Sequence, residues 1–298
     1  MRALLSGSRF AASGPHLVLD ELGGMTALRH QWPISDKPLT LEITDARRCT
    51  GWFDLITYES HPCPEQSAIS PGFDTCFECF RRTGFNPSFY NVPMSTLSPQ
   101  QRTYNERPHV VYLAYFADGW AKVGISSRDR VTARLRGQGA RLATVVFACD
   151  DAYQARALEE RIVRDAAIPE TVRGSRKRAL VNEPLDAERG AHTLAELRQR
   201  VEDVCQVRAL PLDVHDCTRD YLGDHKLDLP VTDLTDEKPA SISGVAVGMI
   251  GDILVVEDSG RQFMLSVKEF FGSVVTLEET VRRNVKRPDA GQLGFGFL

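Results

Sequence analysis

The sequence has no long apolar run, and it has no strong excess of charge of one sign. Its 298 residues contain no uninterrupted apolar stretch of the about 20 residues that a membrane-spanning helix needs, so we expect no membrane partner. Residues 1–12 contain one early arginine but no apolar core of the kind found in signal peptides, which predicts a cytoplasmic protein. A net charge of −4 excludes a uniformly basic protein that coats nucleic acid.

The rest of the composition is ordinary, but the charge is uneven along the chain. Apolar residues make up 42% and charged residues 26%, as in soluble domains, and the length allows two or three small domains. Between His109 and Asn182 the chain contains 13 Lys or Arg and 8 Asp or Glu, a local net charge of +5. This excess predicts a phosphate-contacting face on one domain, and ordinary variation of charge along the chain is the alternative.

Four of the seven cysteines fall within 31 residues. Because the cytosol keeps thiols reduced, clustered cysteines favour a metal site over disulfides, and a C-x2-C pair supplies two ligands from one turn. The surrounding residues, 46–92, are rich in proline and poor in core-forming residues, so a metal would stabilise them most. We therefore predict a structural zinc site with no open position for catalysis, and buried, unliganded thiols are the alternative. The predicted ligands are Cys49, Cys63, Cys76 and Cys79.

The stretch from residue 110 to residue 167 alternates between strand and helix patterns. Two apolar segments flank an Asp118-Gly119 dipeptide, which is typical of a β-hairpin turn. The spacing of the apolar residues then predicts a short helix, a third strand and a longer helix. The predicted fold class is therefore α+β, with helices on an antiparallel sheet. The predicted strands are 110–116, 121–126 and 142–149, and the predicted helices are near 131–137 and 150–167.

The longer helix has two different stripes of side chains. Glu159 lies on a stripe of apolar residues at three- and four-residue intervals, and this stripe faces the sheet. Glu160 lies on a stripe of alternating charge with Arg156 and Arg164, which is typical of a solvated face. A carboxylate that points inward needs a metal, a cation or hydrogen-bond donors. Glu159 is therefore either a metal ligand or the partner of a nearby arginine.

This segment resembles the GIY-YIG nuclease domain. Residues 111–113 (VYL) stand at the position of the first family motif, and residues 122–126 (KVGIS) stand at the position of the second. Arg134 and Glu159 stand at the positions of the family's arginine and of its metal-binding glutamate. The resemblance covers roughly a quarter of the chain. It departs from the family at Lys122, where a tyrosine is usual, and at Val110, where the first motif usually begins with glycine. The order of a cysteine-rich segment before such a domain also resembles the DUF2797 family.

The resemblance implies metal-dependent cleavage of phosphodiester bonds in nucleic acid. Glu159 would bind one Mg²⁺ or Mn²⁺, Tyr112 would activate water or carry its proton, and Arg134 would stabilise charge on the phosphoryl oxygens. Lys122 would support Arg134 or hold a flanking phosphate. Two alternatives use the same fold. One is a module that binds DNA or RNA without cleaving it, with Lys122 as a phosphate anchor, and the other is chemistry on a small molecule.

A dense basic run follows the longer helix and would add phosphate contacts in this interpretation. The alternative for such a run is a solvated loop, because charged residues are ordinarily found in contact with water. The predicted nucleic-acid-binding residues are Arg173, Arg176, Lys177 and Arg178.

The two ends of the chain share a pattern of glycines. Residues 1–45 and 240–280 each contain three glycines at spacings of seven and nine residues, followed by a similar apolar strand. We predict two copies of a small β-unit that pack on each other or on the central domain, with unrelated hairpins as the alternative. The other predicted segments are 46–100, the cysteine segment and a polar linker; 101–182, the GIY-YIG-like domain; 183–239, a helical connector; and 281–298, a flexible tail.

The tail ends in a short motif. Residues 292–298 (QLGFGFL) resemble the peptide by which bacterial DNA enzymes bind the sliding clamp. A weak contact with the sliding clamp is therefore a predicted interaction of the tail. The alternative is a terminal strand that packs on the C-terminal β-unit.

Overall fold

The N-terminal part of the chain forms four strands. The computed structural model describes residues 1–24 and 27–282, and the fold is mixed α/β with antiparallel sheets. Along the second strand, every other side chain points into one core. Leu17 and Leu19 are two of these side chains, and both are fully buried. The strands are β1 (Arg2–Ala11), β2 (Gly14–Glu21), β3 (Arg29–Pro33) and β4 (Pro38–Arg47).

The next part of the chain contains little regular structure, as its proline content predicts. The predicted polar linker is wrong in one respect, because 93–108 contain a helix whose buried Gln101 exchanges two hydrogen bonds with the Asn86 backbone, at 2.8 and 2.7 Å. These bonds allow a polar side chain to be buried, so polarity did not indicate exposure here. The elements are β5 (Trp52–Phe53), β6 (Ser60–His61), α1 (Phe77–Thr83) and α2 (Pro99–Asn105).

The central domain is a four-stranded antiparallel sheet with helices on both faces. Its elements are β7 (His109–Ala117), β8 (Trp120–Ser127), α3 (Val131–Gly137), β9 (Leu142–Cys149), α4 (Ala152–Asp165), α5 (Gly174–Val181), α6 (Ala187–Cys205) and β10 (His215–Asp216). The strand order is β10-β9-β7-β8. Every residue of β7 is buried, because α4 and α6 cover one face of the sheet while α3 and α5 cover the other. The predicted bounds of the third strand, 142–149, are confirmed.

Two segments differ from their sequence interpretation. Most of the basic run 173–178 lies in helix α5 and not in a loop. Residues 183–239 are more than a connector, since Leu194 and Val201 of α6 are fully buried in the core of the central domain. The spacing of apolar residues predicts a helix there, but it does not show which surface that helix covers.

The last part of the chain joins the N-terminal strands in one nine-stranded sheet. Its elements are α7 (Thr218–Leu222), β11 (Thr232–Asp233), β12 (Ser241–Ile250), β13 (Ile253–Asp258), β14 (Arg261–Ser266) and β15 (Ser273–Glu278). The strand order is β11-β14-β13-β12-β4-β15-β1-β2-β3. Each fourth strand pairs with the first strand of the other unit, so that β4 pairs with β12 and β15 pairs with β1.

The order of the eight strands in the two β-units is unchanged when the units are exchanged. The two units share one sheet and one core, so they are not separate domains that flank the central one. The N-terminal amino group of Met1 lies 2.6 Å from the carbonyl oxygen of Leu277 in the last strand. The C-terminal unit differs in having a 3₁₀ turn, Val267–Phe270, between its third and fourth strands. An origin of the two units by duplication remains a prediction.

The C-terminal half of the large sheet packs against the central domain. Val247 and Ile253 share one core cluster with Tyr112 and Leu135. The face of the central sheet that carries Tyr112 is therefore closed in part by the large sheet. This packing places the candidate site described below at the junction of the two sheets.

Two sequence predictions concern membranes and the tail. No helix among residues 1–24 and 27–282 is long and apolar enough to cross a membrane. The clamp-like peptide, 292–298, lies outside the described residues, as does most of the predicted tail.

Candidate metal centre and cation cluster

The four predicted zinc cysteines come together in the structure. Cys49 follows β4, Cys63 follows β6, and the start of α1 supplies Cys76 and Cys79. Their four sulfur atoms all lie within 4.8 Å of one another, and every thiol except that of Cys76 is buried. The predicted group is thus confirmed as four close cysteines that could hold a metal such as zinc.

The backbone around Cys49 is shaped for an ionised sulfur. The N–H groups of Cys76 and Gly51 donate to the Cys49 sulfur at 3.1 and 3.4 Å. Gly51 has a φ of +92°, and a side chain there would place its first carbon 1.9 Å from the carbonyl oxygen of His61. Only glycine fits this turn without displacing the neighbouring backbone. The two donors would stabilise a metal-bound thiolate, as outer hydrogen bonds do in metal sites.

The four thiols could not all ionise together without a cation. Burial raises the pKa of Cys49 to about 11, and it also raises the pKa of Cys79. Burial acts in the same direction on Cys76, but the Cys79 backbone N–H and the neighbouring thiols outweigh it and lower the Cys76 pKa to about 7. Zinc binds deprotonated sulfur, and a set of four thiolates is typical of structural zinc sites. The residues present therefore fit zinc, which would stabilise this segment of the fold.

Strand pairing places two predicted site residues on one face of the central sheet. Tyr112 lies opposite Gly124, and Ala114 lies opposite Lys122, in the antiparallel pair of β7 and β8. Opposed residues and those two positions along a strand share a face, so Tyr112 and Lys122 point to the same side. Gly124 makes room for the tyrosine ring, because a side-chain carbon there would lie 2.5 Å from the Tyr112 hydroxyl oxygen.

Tyr112 is enclosed beside Arg134. Its side chain is fully buried, and its hydroxyl group has no hydrogen-bond partner among the described residues. Burial raises the pKa of Tyr112, while the Arg134 cation and the Gln138 amide act in the opposite direction. Arg134 and Gln138 lie four residues apart and on the same side of α3, as their spacing predicts. The phenol therefore stays protonated at neutral pH and is available as a donor.

Three cations, which we call the cation cluster, lie on this side of the central sheet, and each lysine has its pKa lowered by burial and by the charge of another member. They are Lys122 on β8, Arg134 on α3 and Lys177 on α5. Lys122 donates to the Glu170 carbonyl oxygen at 3.1 Å, and Lys177 donates to the Gln138 carbonyl oxygen at 2.7 Å. Burial, followed by the charge of nearby cations, lowers the pKa of each lysine to about 8. No member of the cluster forms an ion pair with another residue in the described part of the chain.

Glu159 lies beside the cluster in a network of its own. Its side chain is buried on α4, as the helical stripe predicts. One nitrogen of Arg156 lies 2.6 Å from a Glu159 oxygen and 2.9 Å from a Glu170 oxygen. Burial raises the pKa of Glu159, and Arg156 opposes that shift. Of the two alternatives open from the sequence, the structure places Glu159 as the partner of an arginine.

The binding of a catalytic metal ion at Glu159 stays a prediction, and in this structure an arginine is bonded to that carboxylate. Arg156 is hydrogen-bonded to the carboxylate that a cation would bind. Within residues 1–24 and 27–282, side chains that can ligate a metal gather in a group of three or more only at the four cysteines. Glu160, which is nearly half exposed, also lies 3.3 Å from Arg156. Binding of Mg²⁺ or Mn²⁺ at Glu159 would thus require Arg156 to move.

The four residues of the basic run have different surroundings. Arg178 is buried and paired with two aspartates at 2.7 Å each, so it is not available to a phosphate. The Arg176 guanidinium lies 4.4 Å from the centre of the Trp120 ring, and Arg173 is exposed. Lys177 points back to the central sheet and joins the cation cluster. The run is therefore mostly helical, with Lys177 and Arg178 both held inward, and it is not a continuous basic surface.

The sequence does not predict the observed roles of two residues. Arg156 falls on the solvated stripe of α4, yet its long side chain reaches Glu159 from there. The i, i+3 spacing of the two residues is the signal that could have identified this pair. Gln138 has a buried amide nitrogen with no hydrogen-bond partner among the described residues, and no pattern in the sequence indicates that it faces Tyr112.

Comparison with known proteins identifies the family of the chain. Residues 36–275 match the model of a family described as a protein of unknown function, DUF2797. The chain belongs to the DUF2797 family. In this DUF2797 chain the match spans both the cysteine group and the cation cluster. No curated protein and no solved structure matches the chain.

Proposed function

We propose that this DUF2797 protein binds DNA or RNA and that the cation cluster holds a phosphate of the nucleic-acid backbone. The observation that carries the proposal is that Lys122 and Lys177 donate only to backbone carbonyl oxygens, on the side of the sheet covered by the helix of Arg134, and form no ion pair with a carboxylate in the described part of the chain. A phosphate between them would be attracted by all three charges and would relieve their mutual repulsion. The local net charge of +5 over residues 109–182 would add long-range attraction.

Two further features support a phosphate as the ligand. Arg134 offers a planar guanidinium that can bind two phosphate oxygens at once. The Tyr112 hydroxyl, which lacks a hydrogen-bond partner among the described residues, would offer a neutral donor beside it. Tyr112, Lys122 and Arg134 also stand at the positions of the GIY-YIG motifs, a domain that acts on phosphodiesters.

Metal-dependent cleavage is the second candidate function. The observation in its favour is the proximity of Glu159 to the cluster, since its charge acts on the pKa of both Tyr112 and Lys122. Arg156 is bonded to Glu159, however, and the observed arrangement therefore supports binding more directly than cleavage.

The binding test is a titration with fluorescently labelled single-stranded and duplex DNA and RNA at low salt. Lys122→Met keeps most of the side-chain length and removes its charge, so we expect about a tenfold or greater loss of affinity. Arg164→Gln is the matched control, because Arg164 is exposed on α4 and paired with Asp165. Absence of binding by the wild-type protein, or an equal loss in the control, would contradict the proposal.

The same nucleic acids, incubated with Mg²⁺ or Mn²⁺, separate the two candidate functions. Strands that are bound but remain intact support the non-cleaving module. Products that form with the wild type and are lost with Glu159→Gln support cleavage. A protein that binds no polymer but does bind a small phosphorylated molecule would support the remaining alternative, chemistry on a small molecule.

A further inference from the structure

A groove of about 420 Å³ lies beside the cysteine group and is lined by four aromatic rings and several hydroxyl groups. The rings belong to Trp52, Phe53, Phe80 and Phe85. The other described lining residues are one glycine, one proline and five residues with a hydroxyl group, so none of the described lining residues is charged. Such a lining suits a flat, uncharged ring with polar edges better than it suits an ion.

The phenylalanines of this groove are not core residues. Phe80 and Phe85 expose 61% and 37% of their surface. The core of the cysteine segment consists of the buried thiols with Trp52 and Ile69 packed on them. The core of the segment thus forms without Phe80 and Phe85, and Phe80, the more exposed of the two, remains available to a ligand. Clustered exposed aromatic rings are typical of a binding surface.

The groove lies next to the cation cluster. The Arg130 guanidinium lies 4.5 Å from the centre of the Phe53 ring, which lines the groove. Arg130 immediately precedes α3 and stands four residues before Arg134, so about one turn of chain separates the two arginines. Arg130 forms no ion pair within the described part of the chain. A nucleic-acid strand that leaves the cation cluster along α3 would pass this arginine and reach the groove.

We propose that the groove holds an unpaired base of the nucleic acid whose phosphate is bound at the cation cluster. This inference rests on the proposed function and narrows the ligand to nucleic acid with a single-stranded segment. Aromatic rings stack on any base, and hydroxyl groups can hydrogen-bond to its edge. A base inside a duplex is already stacked and paired, so it enters such a groove only after it is flipped out. The neutral lining accepts the base, while Arg130 and the cluster face its backbone.

The experiment uses the full chain and an oligonucleotide that carries 2-aminopurine, a fluorescent base whose emission falls when it stacks. We expect the single strand to bind more tightly than the matched duplex and its emission to be quenched. Phe80→Ala removes one ring of the groove and should lower single-strand affinity about 5- to 150-fold. Phe77→Ala is the matched control, since Phe77 lies on the same helix with 74% of its surface exposed and does not line the groove. Unchanged circular dichroism would show that both variants fold.

The outcomes separate this inference from the proposed function. Suppose that Lys122→Met weakens binding but Phe80→Ala does not, and single strand and duplex bind equally. The phosphate site then stands and the base groove is wrong. Equal losses in Phe77→Ala and Phe80→Ala would also overturn the groove, because they would indicate a general apolar contact such as a protein partner makes. No binding of any nucleic acid overturns both proposals.

Discussion

The cysteine group and the cation cluster both bring together side chains whose charged forms repel one another. In the cysteine group, four sulfur atoms lie within 4.8 Å of one another. In the cation cluster, burial and neighbouring cations lower the pKa of Lys122 and Lys177 to about 8. A ligand of opposite charge would relieve the repulsion in each case.

The two clusters differ in how that opposite charge can arrive. Four sulfur atoms complete the tetrahedral set of a zinc ion, so the metal would be enclosed and would stay bound. The cation cluster is open on the side of Arg134, which is exposed, so a ligand could bind and leave. With zinc bound, the cysteine group would stabilise the fold, whereas the cation cluster, on our proposal, lowers stability until a ligand binds.

The largest effect should follow from breaking the cysteine group. Purified protein should carry about one zinc ion per chain, and Cys79→Ser should lose it. Loss of an outer hydrogen-bond partner lowers metal affinity about 10- to 100-fold, and loss of a sulfur ligand should lower it more. Residues 46–92 should then become sensitive to protease while the central domain remains folded. Metal analysis by mass spectrometry and limited proteolysis measure the two effects.

Cys205→Ser is the matched control for this variant. Cys205 and Cys79 each expose 1% of their surface, but Cys205 lies on α6 in the core of the central domain and far in sequence from the cysteine group. The Cys205→Ser substitution should lower the free energy of unfolding without loss of zinc. Zinc that persists in Cys79→Ser, or freshly purified wild-type protein without zinc, would contradict the assignment of the cysteine group.

The next largest effect should be on the free energy of unfolding, which the buried charge of Lys122 is expected to lower. Lys122 has a pKa of about 8 in the folded chain against 10.5 as its ordinary value, so between these pH values the unfolded chain binds more protons. Wild-type stability should therefore rise with pH in that window. At pH 7, Lys122→Met should raise the free energy of unfolding by an amount on the order of 1–3 kcal/mol, because it removes a buried charge.

Urea denaturation of both proteins at pH 7 and pH 10 tests this effect. The difference in the free energy of unfolding should shrink at the higher pH, where the wild-type lysine is neutral in the folded state. Together with weaker nucleic-acid binding, a more stable Lys122→Met protein would show that the cluster lowers stability and favours a ligand. A variant that is less stable than the wild type at pH 7 would mean that Lys122 is held for packing.

A smaller effect should separate Glu159 from its neighbour Glu160. Glu159→Gln removes a negative charge beside the cation cluster, so we expect nucleic-acid affinity to rise about two- to tenfold. Stability should fall by only about 1 kcal/mol, because Arg156 keeps Glu170 as a partner at 2.9 Å. Any cleavage of nucleic acid in the presence of Mg²⁺ or Mn²⁺ should be lost. Binding titrations and urea denaturation measure these changes.

Glu160→Gln is the control for damage to α4. Its side chain is nearly half exposed, so affinity, stability and any cleavage should stay close to those of the wild type. Equal changes in the two variants would indicate an effect on the helix. They would contradict a separate role for Glu159.

Local patterns predict much of this protein, and long-range pairing explains the rest. The period of apolar residues predicts β9 and the inward direction of Glu159, because both depend on neighbours within a few residues. The grouping of Cys49 with Cys76 follows from the chemistry of thiols in a loop-rich segment. The pairing of β4 with β15 joins the two β-units. It depends on residues more than 200 positions apart in the sequence, and no local pattern predicts such a pairing.

The candidate site shows the same division. Tyr112, Lys122 and Arg134 are predicted from motif spacing. Burial and the charge of Arg134 lower the pKa of Lys122, and the same charge opposes the burial that raises the pKa of Tyr112. Lys177 is predicted only as part of a basic run, because its inward direction depends on how α5 packs against the central sheet. Arg156 is misassigned to solvent because a flexible side chain can leave the stripe that its position defines.

The smallest expected effect is in the salt dependence of binding, and it distinguishes the cation cluster from the aromatic groove. For single strands, the logarithm of the binding constant falls with the logarithm of salt concentration by about 0.7 per phosphate neutralised. Lys122→Met should therefore make this slope shallower by about 0.7, whereas Phe80→Ala should lower affinity at every salt concentration without a change in slope, since stacking releases no counterions. Arg164→Gln should change neither. If Lys122→Met lowers affinity with an unchanged slope, the lysine acts through folding and does not contact a phosphate.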